Sequence, residues 1–375
     1  MMLLMTAACS SSDDEEGQES GVDKKPVMLA VYVYAPQPVA AQKNAVQRRA
    51  TVGNVDVSDA AEGEIRSLKL WIYETESGKF VGYLDTEEVT SLNSGEGATY
   101  QIPVSDEFAA NKPDVDIYVQ ANVKPENCGV STLDKETTRD GLMAGAKIVK
   151  GKFGLSPLTV GVPAEGLPMA GKLTTQPVVG DAPALRIGTM SQVSTVQLTR
   201  AVSKLRFVFA KTTGQPKVSI NSIKMNAGMI PDVEYLFDKT QPLTYNESEA
   251  ELFAFIEDIA ETADPTDYIY FNQDAQAYEN LISEAASKQP DPEVTLKGPI
   301  YLRESDKQLA GTISYTINGG AEQTVDFQMQ QAGDFSRNHT WIVYAYYAGA
   351  GRLQVQSLYV KDWSGKEMSH NFYNW

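Results

Sequence analysis

Cysteine is nearly absent. Cys9 and Cys128 are the two in 375 residues, and with a domain's length between them they offer neither a disulfide framework nor a paired-cysteine metal site. Histidine is as scarce: His339 and His370 lie in no His-Glu-x-x-His spacing, and His339 precedes the strand-like Thr340-Trp341-Ile342-Val343, where a structural histidine is expected rather than a ligand. No apolar run approaches the roughly 18 residues of a membrane-spanning helix. Positive charge is in deficit, with 32 Lys and Arg against 49 Asp and Glu for a formal net charge of −17. The basic residues gather in no one segment, so nucleic acid is not expected as a partner.

Motifs of catalysis are missing as well. There is no Gly-x-Ser-x-Gly elbow and no Gly-x-Gly-x-x-Gly following a strand. Gly166 to Lys172 spells Gly-x-x-x-x-Gly-Lys, but Leu173 stands where a phosphate loop needs Ser or Thr, and Pro168 has no N–H to offer a phosphate. Glu251, Glu257, Asp258, Glu261, Asp264, Asp267 and Asp274 lack the spacing of a calcium loop and read as a solvated acidic stretch. The expectation is a protein that is not an enzyme and holds no cofactor and no metal.

What the chain does have is alternation. Val27–Tyr34 reads Val-Met-Leu-Ala-Val-Tyr-Val-Tyr; Leu68, Leu70 and Ile72 alternate with Lys69, Trp71 and Tyr73; Val115 to Val123 repeats the pattern. Each predicts a strand with a buried face. Further strands are expected at Phe80–Leu84, Tyr100–Val104, Val193–Leu198, Lys204–Ala210, Val218–Met225, Gly311–Ile317, Thr324–Met329, Thr340–Tyr347 and Leu353–Val360. Strands joined by Gly, Pro, Asn and Asp turns indicate an all-β fold of sandwiches rather than βαβ units. Two stretches, Ser131–Lys150 and Gln273–Ser287, favour helix and read as short helical insertions. The Pro- and Gly-rich stretch from Pro157 to Pro183 places the join near Gly188–Gln192, giving one domain over 27–190 and a second over 191–375.

The ends carry chemistry of their own. Leu3-Leu4-Met5-Thr6-Ala7-Ala8-Cys9 closes a short apolar run on small residues before a cysteine, the form of a bacterial lipoprotein cleavage box. Residues 1–9 then act as a signal segment, and the acidic residues 10–26 as a tether. The loop Gln42 to Thr51 is polar and presents Arg48-Arg49 before Ala50, as an exposed cleavable loop would. After the last strand, Trp363, Phe372, Tyr373 and Trp375 follow at intervals, large aromatics of the kind that fill interface pockets.

These features together resemble a known family. The box at Cys9, the Gly166-Leu167-Pro168-Met169-Ala170-Gly171 turn, the run Leu198-Thr199-Arg200-Ala201-Val202-Ser203-Lys204-Leu205, and Arg337-Asn338-His339-Thr340 before an aromatic strand look like the fimbrillins of type V pili from Bacteroidota. The resemblance implies two transthyretin-like β-sandwich domains and lipoprotein export to the outer membrane, anchored through lipid on Cys9. It also implies cleavage by an arginine-specific protease that removes the N-terminal segment with its first strand, here 27–49, at Arg49–Ala50. The partners implied are copies of the chain and other fimbrial subunits, with a host or bacterial surface receptor in addition. Loss of Val27–Tyr34 would open a groove that seeks another strand. The expected donor is the tail 353–375, through Leu353, Val355, Leu358, Val360, Trp363, Phe372, Tyr373 and Trp375; the alternative is that the last strand folds back on its own sheet. Processing and tail together favour a stalk subunit, with a fimbrial tip or anchor adhesin as alternatives and, in another class, a monomeric surface lipoprotein that binds glycans.

Overall fold

The computed structural model describes residues 26–35, 60–86, 92–93, 96–129, 132–179, 185–188, 194–238, 241–253, 255–270, 280–281, 284, 287, 299–329 and 335–360. Cys9, Arg48, Arg49, Ala50, Trp363, Phe372, Tyr373 and Trp375 lie outside them. Alternation becomes strand almost everywhere it was expected. The first half contributes β1 (Val27–Tyr34), β2 (Leu68–Glu74), β3 (Phe80–Thr86), β4 (Gly97–Val104), β5 (Val115–Ala121), β6 (Lys147–Val149), β7 (Thr159–Val160), β8 (Met169–Thr175), β9 (Pro177–Val179), β10 (Leu185–Ile187), β11 (Thr195–Gln197) and β12 (Thr199–Arg200). The second contributes β13 (Ser203–Thr212), β14 (Val218–Met225), β15 (Val233–Tyr235), β16 (Ala250–Phe253), β17 (Ala260–Thr262), β18 (Ile300–Leu302), β19 (Ala310–Ile317), β20 (Gln323–Gln328), β21 (Thr340–Tyr347) and β22 (Gln354–Val360).

Each half is a sandwich, and the protein is all-β. In the first, the sheet of β9, β10, β11, β1 and β4 faces the sheet of β12, β8, β5, β2 and β3, with Leu29, Val31, Ile102 and Ile187 meeting Leu70, Ile72, Ile117 and Val119 between them. In the second, β22, β21, β13, β18 and β7, with β17 beside β13, face β16, β14, β19 and β20. Its core includes Phe207, Ile220, Ile313, Phe327 and Trp341. β13 and β21 run parallel from Lys204↔Thr340 to Lys211↔Tyr347. β21 from Trp341 to Tyr347 and the centre of β13 from Phe207 to Ala210 are continuously apolar or aromatic because both of their faces are covered.

Strand pairing runs across the Gly188–Gln192 stretch. β11 pairs with β1 and β12 with β8, so the first half's sheets run on to Arg200, past Gly188–Gln192. In the other direction, β6 pairs with β15 and β7 with β18, so part of the 147–160 stretch completes sheets of the second half. A Pro- and Gly-rich composition marks turns; it does not say which sheet the next strand joins.

The expected helix over Ser131–Lys150 is shorter. The first half carries α1 (Asp106–Asn111), α2 (Pro125–Cys128) and α3 (Arg139–Gly145) among the described residues, and β6 takes the end of the stretch. Ser105 and Thr138 cap α1 and α3 by accepting from Phe108 N and Gly141 N, each satisfying one free donor of a helix start. The stretch covers the outer face of β2 and β5: Trp71 Nε1 donates to Asp134 O at 2.8 Å, and Tyr73 Oη to Thr137 O at 2.6 Å. Cys128 is buried beneath it, where burial pushes the thiol up to about 12, far from the thiolate a reactive cysteine needs. Of Gln273–Ser287, most lies outside the described residues; Leu281 packs into the second core.

Candidate assembly site

β1 is the N-terminal strand of the described chain and a central one. Its period of two sends Leu29, Val31, Val33 and Ala35 into the sandwich, all fully buried, and leaves Met28, Ala30, Tyr32 and Tyr34 half-buried on the other face. One edge pairs antiparallel with β4 over its whole length, Val27↔Val104 to Tyr34↔Gly97. The other runs parallel to β10 at Leu29↔Leu185 and Ala30↔Arg186, then to β11 from Tyr32↔Thr195 to Tyr34↔Gln197. The ends are tied down by Ala35 N donating to Glu96 O at 2.8 Å and Leu198 N donating to Tyr34 O at 3.1 Å.

This placement gives the strand a particular energetic weight. Burying Leu29, Val31 and Val33 stabilises by about 1.5–3 kcal/mol each, comparable in sum to the net stability of a whole domain, about 5–15 kcal/mol. Without β1, β4 would lose its one strand partner in that sheet among the described residues, and the main-chain groups of β4, β10 and β11 that bond to β1 would face an apolar slot. Buried backbone groups left so are expensive. The groups that would recognise a replacement strand are therefore main-chain donors and acceptors on two sides, with pockets for apolar side chains at every second position.

At the other end of the chain, the expected donor residues Leu353, Val355, Leu358 and Val360 fall in or beside β22, which in the single chain pairs with its own β21, from Thr340↔Val360 to Tyr346↔Gln354. Leu353 is buried in the second core, and its amide donates to Tyr315 Oη at 3.1 Å. The alternation that suits a donor strand suits an edge strand equally, and the nearer edge, a hairpin away, takes it.

Two of the motifs that carried the family resemblance, Leu198–Leu205 and Arg337–Thr340, meet in a buried polar joint between the two halves. Glu62, in the short 3-10 helix Ala60–Gly63, is fully buried. Its Oε1 lies 2.5 Å from Lys204 Nζ and accepts from Tyr301 Oη at 2.5 Å, while its carbonyl accepts from Arg200 Nε at 2.8 Å. Arg200 Nη1 also donates to Asn338 Oδ1 at 3.3 Å. Burial lowers the Lys204 pKa against the pull of Glu62, and raises that of the Tyr301 phenol with Glu62 adding to the effect. Nearby, Arg337 donates to Tyr235 O at 2.6 Å, Leu236 O at 3.1 Å and Glu304 Oε1 at 3.0 Å. Glu234, fully desolvated, is pushed up to about 8 by burial although Arg337 opposes the shift. Its Oε1 stands 3.1 Å from Arg337 Nη2, in charge contact but outside hydrogen-bonding geometry. Sequence reasoning missed Glu62 altogether; a signal existed only in Arg200 and Lys204, charges set inside an otherwise apolar strand run.

No protein-family model and no curated protein matches the chain. Solved structures do. A protein from Parabacteroides distasonis to which a cell-adhesion role is ascribed shares 14% identity, the match covering 92% of this chain and 99% of that one at a TM-score of 0.52. The tip fimbrial protein Mfa3 from Porphyromonas gingivalis matches at 12% identity, 90% and 100% coverage and a TM-score of 0.45. A fimbrilin from the same organism matches at 12% identity, 86% and 90% coverage and 0.44. The fold is the one shared with the Parabacteroides distasonis protein, over nearly the full length of both chains.

Proposed function

We propose that this chain is a structural subunit of a cell-surface fimbria, a non-enzymatic protein lipidated at Cys9 in the outer membrane and polymerised by strand exchange once its N-terminal strand is cut away. The observation that carries the reading is the central position of β1. A strand at the start of the chain is held on both edges, fills the first core with Leu29, Val31 and Val33, and is followed in sequence by the segment bearing Arg48-Arg49-Ala50. Cleavage at Arg49–Ala50 severs it from everything after it. Once it leaves, the slot between β4 and β10–β11 accepts a strand from a second subunit. A head-to-tail contact of that kind does not close on itself and grows a filament.

The donor in this reading is residues 361–375, with Trp363, Phe372, Tyr373 and Trp375 as anchors, while β22 stays as the base from which they reach out. Fifteen residues extend to roughly 50 Å, ample for a slot that holds the eight residues of β1. Possession of both a cuttable first strand and a tail favours a stalk subunit. The test is to treat purified precursor with an arginine-specific protease. Filaments by electron microscopy, with Ala50 at the new N-terminus, are expected; Arg48→Ala with Arg49→Ala should stay folded and monomeric, and Cys9→Ala should lose fatty-acid label. A cleaved protein that sheds β1 and remains monomeric at high concentration would overturn the proposal.

A further inference from the structure

The outer face of the first sandwich holds a polar row set by strand register. Asp85 on β3 lies opposite Lys69 on β2, Lys69 opposite Gln120 on β5, and Gln120 opposite Ala170 on β8. The next same-face row is bulky, Tyr83, Trp71 and Tyr118, and the covering stretch ends beside the polar row, where Leu133 O accepts from Lys69 Nζ at 3.3 Å. Ala170 adds only a methyl group. A cavity of ≈ 240 Å³ results, lined by Ser67, Lys69, Asp85, Gln120 and the turn Val123 to Glu126.

Two observations say what it wants. Gln120 is only 3% exposed and its Oε1 has no hydrogen-bond partner, a costly condition for a buried acceptor, which a ligand's O–H or N–H would relieve. The charges around it cancel: Lys69 pairs with Asp85 at 3.0 Å, and Lys124 and Glu126 add one of each sign. A net anion or cation therefore finds no excess of opposite charge. A neutral molecule rich in hydroxyls finds acceptors in Gln120, Asp85 and Glu126, donors in Ser67, Lys69 and Lys124, and an apolar patch in Val123 and Pro125 for its C–H face. The volume is that of about eight waters and lies below the about 300–1,000 Å³ of drug-sized sites, so it holds one ring. We propose that this cavity binds a single neutral sugar residue, the exposed end of a glycan.

The site lies on the sheet opposite β1, so the uncleaved full-length chain serves for the test and the outcome does not depend on strand exchange. Saturation-transfer difference NMR and titration with neutral hexoses and N-acetylhexosamines, alongside sialic acid and glycerol, should show saturable binding of a neutral sugar at the Gln120 pocket. Gln120→Leu removes the orphaned oxygen, so the protein should melt no lower than wild type while affinity falls about tenfold or more. Should that variant not fold, Ser67→Ala and Lys124→Ala, nearer the surface, replace it. No saturable neutral sugar, binding of sialic acid or glycerol alone, or affinity unchanged in these variants would each overturn the proposal.

Discussion

Glu234 shows how much one buried group decides. Ordinary glutamate loses its proton near 4.5, and in the fold this one holds it to about 8 because desolvation outweighs Arg337, with Glu304 adding to the rise and Arg303 and the Glu304 amide acting against it. Between those two values the folded chain binds a proton that the unfolded chain has released, so stability is highest at the acid end and falls as pH rises, with a slope of up to about 1.4 kcal/mol per pH unit. Chemical denaturation at pH 5 and pH 8 should show this decline, and Glu234→Gln, which cannot ionise, should flatten it. An unchanged slope would place the titration elsewhere. Gly166 is a residue of another kind: its φ is +85° and a Cβ there would collide with the Asn122 amide. Asn122 in turn donates to Glu64 O and Leu167 O and accepts from Arg66 N and Ser67 N. The Gly-Leu-Pro-Met turn is thus a packing constraint, not a phosphate loop.

Among elements, β22 and the residues after it separate cleanly by experiment. β22 is an edge strand seated in register on β21, with Leu353 in the core behind it. Deleting 353–375 should lower the melting temperature sharply, since it removes a strand and a buried leucine worth about 2–5 kcal/mol by itself. Deleting 361–375 should leave the melting temperature within about 1–2 °C of the full chain and abolish filament formation after cleavage. Circular dichroism melts of both, set beside electron microscopy of the cleaved proteins, check this. If the shorter deletion polymerises normally, the donor lies elsewhere. β1 differs from β22 in having a partner on both edges, so its departure opens a slot, whereas the departure of β22 would only move an edge.

At the scale of the molecule, the Glu62–Lys204 pair ties the two sandwiches at their base. Glu62 comes from the stretch before β2, Lys204 from the second residue of β13, and Tyr301 from β18, so the contact spans both halves and all three residues lie after Ala50 in the sequence. Removing one partner strands a charge in the interior. Lys204→Ala should destabilise by about 3–5 kcal/mol, whereas Lys204→Met with Glu62→Gln should recover most of the loss, as apolar or neutral replacement of both partners commonly does. Calorimetry is the measurement, and the full chain should unfold in one transition that Lys204→Ala splits into two. A single variant no less stable than the double would show that the joint holds nothing.

Periodicity alone determined that this chain is all-β and where most of its strands lie. The side-chain period of two is a local property, legible at Val27–Tyr34, Leu68–Glu74 and Val115–Ala121 without knowledge of their partners. Pairing is not local. Whether Gln354–Val360 folds back or reaches out, whether Thr195–Gln197 joins the first sheet or the second, and whether Arg200, Lys204 and Arg337 face water or one another all turn on residues far away in sequence. Glu62 meets Tyr301 across most of the chain, and Asp85, Lys69 and Gln120 become neighbours only through the register of three strands. Those choices are made by the burial of faces and the cost of unpaired polar groups in the assembled sandwich, and only the tertiary structure carries that information.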